Sequence, residues 1–252
     1  TLEGPIKKDV GSFILSARRT YADIFLALSK DEDVKKSTLY FYDFNLKANY
    51  KVGERDRLYV SGYFGRDVLG YSGEFGFDWG NATSTIRWNH LFNDKLFLNS
   101  SLIFSSFDYV FSFDDNGNNV DVTSGTEDIN LKEDFQYYIN TRHALRFGVN
   151  TIRHRFIPGK ITASEGSNVN TYKIKDKYAY ESAAYLAHEY GLTDKLKFDY
   201  GFRLSLFNVV GPGEAFTYNE DGDVLTERNY DDNEKIKSYG AFEPRVLATY
   251  TI

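Results

Sequence analysis

The sequence predicts an all-β fold, an antiparallel up-and-down transmembrane β-barrel. Three observations support this fold class. Apolar residues recur with a period of two rather than the helical 3.6. The predicted strands are long. The connections between them alternate between short and long, as they do in barrels with tight turns at one end and extended loops at the other.

Alternation is clear in several segments and most regular in two. Between Tyr40 and Tyr50 the even positions are aromatic or aliphatic, whereas Asp43, Asn45 and Lys47 occupy the other face. The segment 196–207 alternates in the same way. Such a pattern places one side of each strand in an apolar medium and the other side near water.

Ten strands are predicted, and most are longer than the mean soluble strand of about 5–6 residues. Many reach the length of about 9–11 residues that a strand needs to cross a membrane. The predicted strands cover residues 10–19, 38–52, 57–69, 79–92, 96–113, 129–140, 144–156, 177–191, 196–209 and 237–252.

The predicted connections fall into two classes. Short turns are expected at 53–56, 93–95, 140–143 and 193–195, and longer connections at 20–37, 70–78, 114–128, 157–176 and 210–236. Within the first long connection, residues 21–29 fit a short amphipathic helix, although a loop packed on the barrel rim is the favoured interpretation.

Composition excludes several classes of protein. The chain carries 30 Lys and Arg against 36 Asp and Glu, a net charge of −6, which argues against a nucleic-acid partner. Its longest apolar run, 24–28, is far shorter than the roughly 20 residues of a transmembrane helix. No cysteine is present, so disulfides and thiolate-bound metals are excluded. The chain has no Met and begins at Thr1, and we therefore expect it to be processed or part of a longer one.

No catalytic, cofactor-binding or metal-binding residues are predicted. The four histidines, His90, His143, His154 and His188, form no metal-binding pair, and we expect them to be interfacial or solvated. Oxygen-rich runs at 114–119 and 219–223 lack the EF-hand pattern and are interpreted as hairpin tips.

Charged residues on the polar faces of the strands suggest a polar barrel interior. They are predicted to line the lumen, or to pair with one another across strands. The connection 210–236 carries eight acidic residues against two basic ones. It either screens a cationic or metal-bound ligand or is a solvated loop, and the solvated loop is favoured. The lumen candidates are Arg18, Asp43, Lys47, Arg87, Lys132, Asp134, Arg146, Arg203, Glu243 and Arg245.

Three segments resemble the barrel of TonB-dependent outer-membrane receptors. They are Glu3–Ile6 with the following Ser12–Tyr21, Trp79–Asn81 leading into Ile86–His90, and Phe242–Arg245. The resemblance runs through nearly all 252 residues, and its most specific part is the first twenty.

The resemblance implies an architecture and a function. The family has a 22-stranded barrel closed by an N-terminal plug and preceded by a TonB-contacting segment. Residues 1–252 would then be part of one outer-membrane barrel domain, without the plug or that segment. The implied function is energy-coupled nutrient uptake in the outer membrane of a Gram-negative bacterium, with no cofactor and no chemistry by the barrel. The implied partners are outer-membrane lipid, the plug and remaining strands, TonB, and a small-molecule or oligomeric nutrient of unspecified identity.

Two alternatives remain open on sequence alone. One is a complete ten-stranded outer-membrane barrel, with the option of an enzymatic site on its rim. The other is a soluble β-rich binding module, which would bury its apolar faces. For the receptor segment we expect Phe44 and Leu46 to face lipid, Lys47 to face the lumen, and the first and last strands not to pair with each other.

Overall fold

The computed structural model describes residues 1–115, 118–164, 167 and 169–251. Two helices lie in the first long connection, α1 (Ala22–Ala27) and α2 (Glu32–Lys35). The strands are β1 (Leu2–Lys7), β2 (Gly11–Arg19), β3 (Thr38–Lys51), β4 (Asp56–Tyr71), β5 (Phe75–Leu91), β6 (Leu96–Asp115), β7 (Asn118–Asn140), β8 (His143–Ala163), β9 (Tyr172–Lys173), β10 (Lys177–Gly191), β11 (Leu196–Val210), β12 (Gly213–Tyr218), β13 (Val224–Tyr230) and β14 (Lys235–Tyr250).

Nearly all strands form one antiparallel sheet in chain order. Its path runs β1-β2-β3-β4-β5-β6-β7-β8-β10-β11-β14, with β9 paired to β8, while β12 and β13 form a separate hairpin. Within the described residues β1 and β14 lie at opposite edges, and no ladder joins β2 to β14. The prediction that the first and last strands do not pair is confirmed, and the sheet is an open part of a barrel.

The pairing register shows that the strands are inclined. We start at Lys51, the last residue of β3, and step from each residue to its paired residue on the next strand. Eight such steps lead to Glu243, which lies seven residues before the end of β14. Seven residues of rise over eight strand spacings correspond to a tilt of roughly 30°, close to that of barrel strands. The path is Lys51, Arg57, Asn89, Asn99, Asp134, Gly148, Tyr185, Arg203 and Glu243.

All ten predicted strands are present, but several connections are wrong. Residues 70–78 and 114–128 were predicted as long connections, whereas β4 and β5 are joined by only 72–74, and β7 already begins at Asn118. Here the face of the sheet that Phe44 shares turns polar while backbone pairing continues, so the strands extend beyond the alternation that predicted them. The short strands β1, β9, β12 and β13 were not predicted.

The favoured interpretation of residues 21–29 as a loop is also wrong, because α1 occupies most of this segment. The adjoining α2 is capped by Asp31, whose carboxylate accepts hydrogen bonds from the backbone N–H groups of Asp33 at 2.9 Å and Val34 at 3.3 Å. None of the helices in the described part of the chain has the length and apolarity that crossing a membrane requires.

The backbone amides along the open edge of β14 should be poorly protected from hydrogen exchange. In the isolated chain in detergent, alternate amides along 237–250 have no partner strand on one side, so we expect them to exchange hydrogen roughly a hundredfold faster than amides of β8. In an intact barrel the same amides would be paired and protected. Hydrogen exchange read by mass spectrometry compares the two forms. Equal protection of β14 and β8 in the isolated chain would contradict the open edge.

Candidate functional site

The register sorts the side chains onto two faces of different chemistry. We define the apolar face as the face of Phe44 and the polar face as that of Asp43, its neighbour on β3. Large apolar side chains of the apolar face are about half exposed, with Leu131 at 50%, Val149 at 51% and Leu204 at 51%. A row of exposed leucine, valine and phenylalanine along one face needs an apolar environment outside the sheet.

Polar groups bound the apolar face at both ends of the strands. We call these the turn end, with the short connections, and the loop end, with the long ones. On β4 the boundaries are Asp56 at the turn end and Arg66 at the loop end, ten residues apart. Ten residues at about 3.3 Å each, inclined by roughly 30°, rise by about 28 Å. This height matches the apolar band of about 25 Å around transmembrane barrels.

The turn-end boundary consists of rings with polar tips. The indole Nε1 of Trp88 donates to Asp56 at 2.8 Å, and His90 Nδ1 lies 2.7 Å from the same carboxylate. Further along, His143 Nδ1 lies 3.0 Å from His188 Nε2. Rings of this kind are typical of a membrane interface, so the three histidines lie where interfacial residues are expected.

At the loop-end boundary, ion pairs replace the apolar side chains. Arg66 Nη2 donates to Asp108 across β5 at 3.1 Å. Arg155 Nη1 donates to Glu127 on β7 at 2.9 Å. Paired charges on this level of the apolar face indicate that the apolar environment ends there.

All ten residues predicted to line a lumen lie on the polar face. Five of them, Lys132, Asp134, Arg146, Arg203 and Arg245, border a cavity of about 520 Å³ together with residues of β6, β7, β8, β10 and β11. The others lie elsewhere on the face. Arg18 and Asp43 form one pair, Lys47 borders a second cavity beside Ser12, Arg87 lies next to Ser101, and Glu243 lies on β14.

Some of these charges pair within a strand and others pair across strands. Lys132 Nζ lies 2.7 Å from Asp134 on the same strand β7, and Arg245 lies 3.4 Å from Glu243 on the same strand β14. Arg146 pairs with Asp199, which reaches it from β11 across the intervening β10. The polar face is therefore both charged and largely compensated.

Tyr185 is a polar-face residue that the prediction missed. Its hydroxyl donates to Asp134 on β7, crossing β8 at Gly148. A Cβ at Gly148 would lie 2.8 Å from the Tyr185 Oη and would collide with a backbone carbonyl, so the glycine makes room for this crossing. Because tyrosine also occurs throughout the apolar face, its residue type alone did not mark it as a site residue.

His154 departs from the expectation that the histidines are interfacial or solvated. It lies on the polar face with its side chain 14% exposed. Its Nδ1 is 2.8 Å from Asp128 Oδ1, and the ring packs at 5.6 Å from Phe156 and 6.1 Å from Phe207. Phe156 lies two residues along the same strand, but Asp128 comes from β7 and Phe207 from β11, so no local pattern predicted the whole environment.

The two oxygen-rich runs have different outcomes. The run 219–223 is the tip of the β12–β13 hairpin, with Gly222 at φ +91°, which confirms the hairpin-tip interpretation. In the run 114–119, residues 116–117 lie outside the described residues. Among the residues that the structure describes, no group of three or more His, Asp or Glu side chains is arranged to hold a metal ion.

Ion pairs anchor the loop-end connections. The Asp176 carboxylate, 9% exposed, accepts hydrogen bonds from Arg155 at 2.7 Å and pairs with Lys173 at 3.2 Å. Burial acts to raise the pKa of Asp176, but the bonds from Arg155 and Lys173 outweigh it and hold the pKa below its ordinary value. A hydrogen bond from Lys175 likewise lowers the pKa of Glu214, which ties the acidic connection 210–236 to residues before β10.

Removing the Asp176 charge should loosen this anchor. We expect Asp176→Asn to speed tryptic cleavage at Lys173 and Lys175 severalfold at pH 7, whereas Asp194→Asn in the β10–β11 turn leaves it unchanged. Because the pKa of Asp176 is lowered on folding, its stabilising effect is present above 3.8 and is lost as the pH falls below that value. In the wild-type protein we therefore expect pepsin to cleave this connection faster as the pH falls below 3.8. Unchanged cleavage in Asp176→Asn would contradict the anchor.

Comparison of the whole chain with known proteins gives matches among solved structures alone. No protein-family model and no curated protein matches it. The ferric citrate transporter FecA, in its unliganded form, superposes with a TM-score of 0.66 at 12% identity, covering 99% of this chain and 38% of FecA. The copper transporter OprC gives 0.63 at 10% identity, covering 95% and 38%. The alcaligin outer-membrane receptor FauA from Bordetella pertussis gives 0.62 at 16% identity, covering 99% and 37%.

These similarities define the fold. The chain spans less than half the length of the transporters and receptors it matches, while they cover nearly all of it. The matched proteins are TonB-dependent outer-membrane receptors. The resemblance seen in the sequence is confirmed at the level of the fold: this chain has the architecture of a segment of the β-barrel of those receptors.

Proposed function

We propose that the chain is part of the barrel wall of a TonB-dependent receptor in the outer membrane of a Gram-negative bacterium, and that the receptor takes up a nutrient at the expense of energy. One observation carries the proposal. The apolar face is a band about 28 Å high with polar boundaries at both ends, as a lipid-facing wall requires.

The soluble alternative is disfavoured by the same face. A soluble module would pack a second layer on it, yet Leu204 and Val149 remain about half exposed at 51% each. Exposed apolar patches on soluble monomers seldom exceed a few hundred Å². Lipid supplies the cover that no described element provides.

The open edges support a segment of a larger barrel. In lipid each unpaired backbone group costs several kcal/mol, so the free edges of β1 and β14 need further strands. In the proposed receptor these strands, the plug and the TonB-contacting segment come from the rest of the protein. Residues 1–252 form one part of a single barrel domain.

The polar face then becomes the lumen wall. Its ten predicted charged residues and Tyr185 contact the plug or the passing nutrient, and the cavity of about 520 Å³ lies on this path. The mutual pairing of these charges supports a wetted interior, because exposed pairs contribute little to stability and are easily exchanged for new partners. The barrel performs no catalysis in this account.

Uptake tests the function. Deleting the receptor gene should slow uptake of at least one nutrient in a panel of ferric chelates, cobalamin and oligosaccharides, and removing TonB or the proton gradient should stop the same uptake. The double variant Arg203→Glu with Arg245→Glu should lower uptake roughly fivefold to tenfold by breaking lumen pairs. Arg142→Glu, in a turn, is the matched control. A protein found in the soluble fraction, with uptake unaffected by deletion, would contradict the proposal.

A further inference from the structure

Arg153 on β8 is a charged residue on the apolar face that no carboxylate of this chain neutralises. In the register it pairs with Ile129 on β7, which is 47% exposed, so it shares the side of the sheet that faces lipid. Arg153 itself is exposed. Among the residues that the structure describes it forms no ion pair, and the outward carboxylate of the neighbouring strand, Glu127, lies 2.9 Å from Arg155 instead.

The other outward arginines near the loop end have counter-ions within the chain. Arg19 Nη2 lies 2.8 Å from Asp23, and Arg66 Nη2 lies 3.1 Å from Asp108. An arginine at the edge of the lipid needs an anion or water beside its guanidinium, because the charge is costly in an apolar medium. The counter-ion of Arg153 therefore has to come from outside the described part of the chain.

Arg153 lies at the height of the loop-end boundary. From Arg66, which marks this boundary on β4, the register leads in four strand steps to Ile157 on β8. Four strand spacings of about 4.8 Å, inclined by roughly 30°, rise by about 10 Å toward the loop end. Arg153 comes four residues before Ile157, which lowers it by about 11 Å. The two arginines are therefore within about 2 Å of the same height, where the apolar band of a barrel meets lipid headgroups.

Three neighbouring side chains add polar and aromatic contacts around Arg153. Its guanidinium carbon lies 5.3 Å from the centre of the Tyr178 ring, close enough for a cation–π contact that positions the group. Two residues toward the turn end, Thr151 pairs in the register with Ser182, and their hydroxyl oxygens are 3.4 Å apart. When one of these hydroxyl groups donates to the other, one hydroxyl hydrogen remains for a ligand. We call Thr151, Arg153, Tyr178 and Ser182 the Arg153 patch.

We propose that the Arg153 patch binds the phosphate group of an anionic lipid in the outer leaflet of the membrane. The guanidinium of Arg153 donates two parallel hydrogen bonds to two phosphate oxygens, the geometry in which arginine recognises phosphate. The hydroxyl groups of Thr151 and Ser182 lie deeper in the leaflet and bond to the polar linkage between the phosphate and the acyl chains. The inference rests on the proposed function, because it requires the apolar face to lie in lipid with the loop end outside the cell.

Lipid binding by the intact receptor in detergent tests the inference. The probes are lipid A, whose sugar headgroup carries phosphates, the same lipid with its phosphates removed, and inorganic phosphate. Native mass spectrometry counts the lipids bound at each concentration. We expect lipid A to bind tenfold or more tightly than the dephosphorylated lipid. Millimolar inorganic phosphate should not displace it, because the acyl chains add apolar contacts that a free anion lacks.

Variants separate recognition of the phosphate from folding. Arg153→Leu should weaken lipid A binding tenfold or more, leave binding of the dephosphorylated lipid unchanged, and still insert, because leucine suits the lipid face. Tyr178→Leu should weaken lipid A binding severalfold by releasing the guanidinium, whereas Tyr178→Phe keeps the ring and should bind like the wild type. Arg142→Leu makes the same change in a turn at the other end of β8 and is the matched control.

The outcomes also distinguish this inference from the proposed function. Lipid A binding that Arg153→Leu leaves unchanged, or inorganic phosphate that displaces lipid A, would overturn the inference. A receptor that inserts and takes up a nutrient in a TonB-dependent way, but shows no preference for the phosphorylated lipid, overturns the lipid site alone. A receptor that neither inserts nor transports any nutrient overturns the proposed function, and the inference with it.

Discussion

The structure depends on one constraint, the pairing of backbone N–H and C=O groups of neighbouring strands in a continuous antiparallel ladder. From β1 to β14 each strand pairs with the next along the path, and the register is regular over most of its length. Because side chains alternate along each paired strand, the ladder also separates them into two surfaces. Phe44 and Asp43 are neighbours in sequence and face different surroundings for this reason alone.

Sequence alternation predicted the ladder well where the two surfaces differ most. It located β3 and β11, whose outward residues are apolar and whose inward residues are polar. It failed beyond the apolar band, where β6 and β7 continue as strands to Asp115 and from Asn118 with polar residues on the apolar face. There the hydrogen bonds persist while the face that is apolar elsewhere turns polar, so the alternation that marks the apolar band no longer identifies the strands.

In the site, the sequence of one strand predicts which face a residue occupies, but it does not predict which residues of other strands that residue contacts. Period two assigned ten charged residues to the polar sides of their strands, and the register brings these sides onto one face. Their partners depend on neighbouring strands far apart in sequence, such as Tyr185 crossing Gly148 to Asp134 and His154 held by Asp128. No single segment encodes these contacts.

The central claim is that the apolar face lies in lipid and the polar face in water. Because residues 1–252 contain no cysteine, single nitroxide labels can be placed at each position from 202 to 207 on β11, in the intact receptor in bilayers with any cysteine elsewhere in it replaced. The account predicts that collisions with oxygen, which concentrates in lipid, peak at positions 202, 204 and 206. Collisions with a water-soluble nickel complex should peak at 203, 205 and 207. Accessibility without this period of two, or with the two sets of positions exchanged, would contradict it.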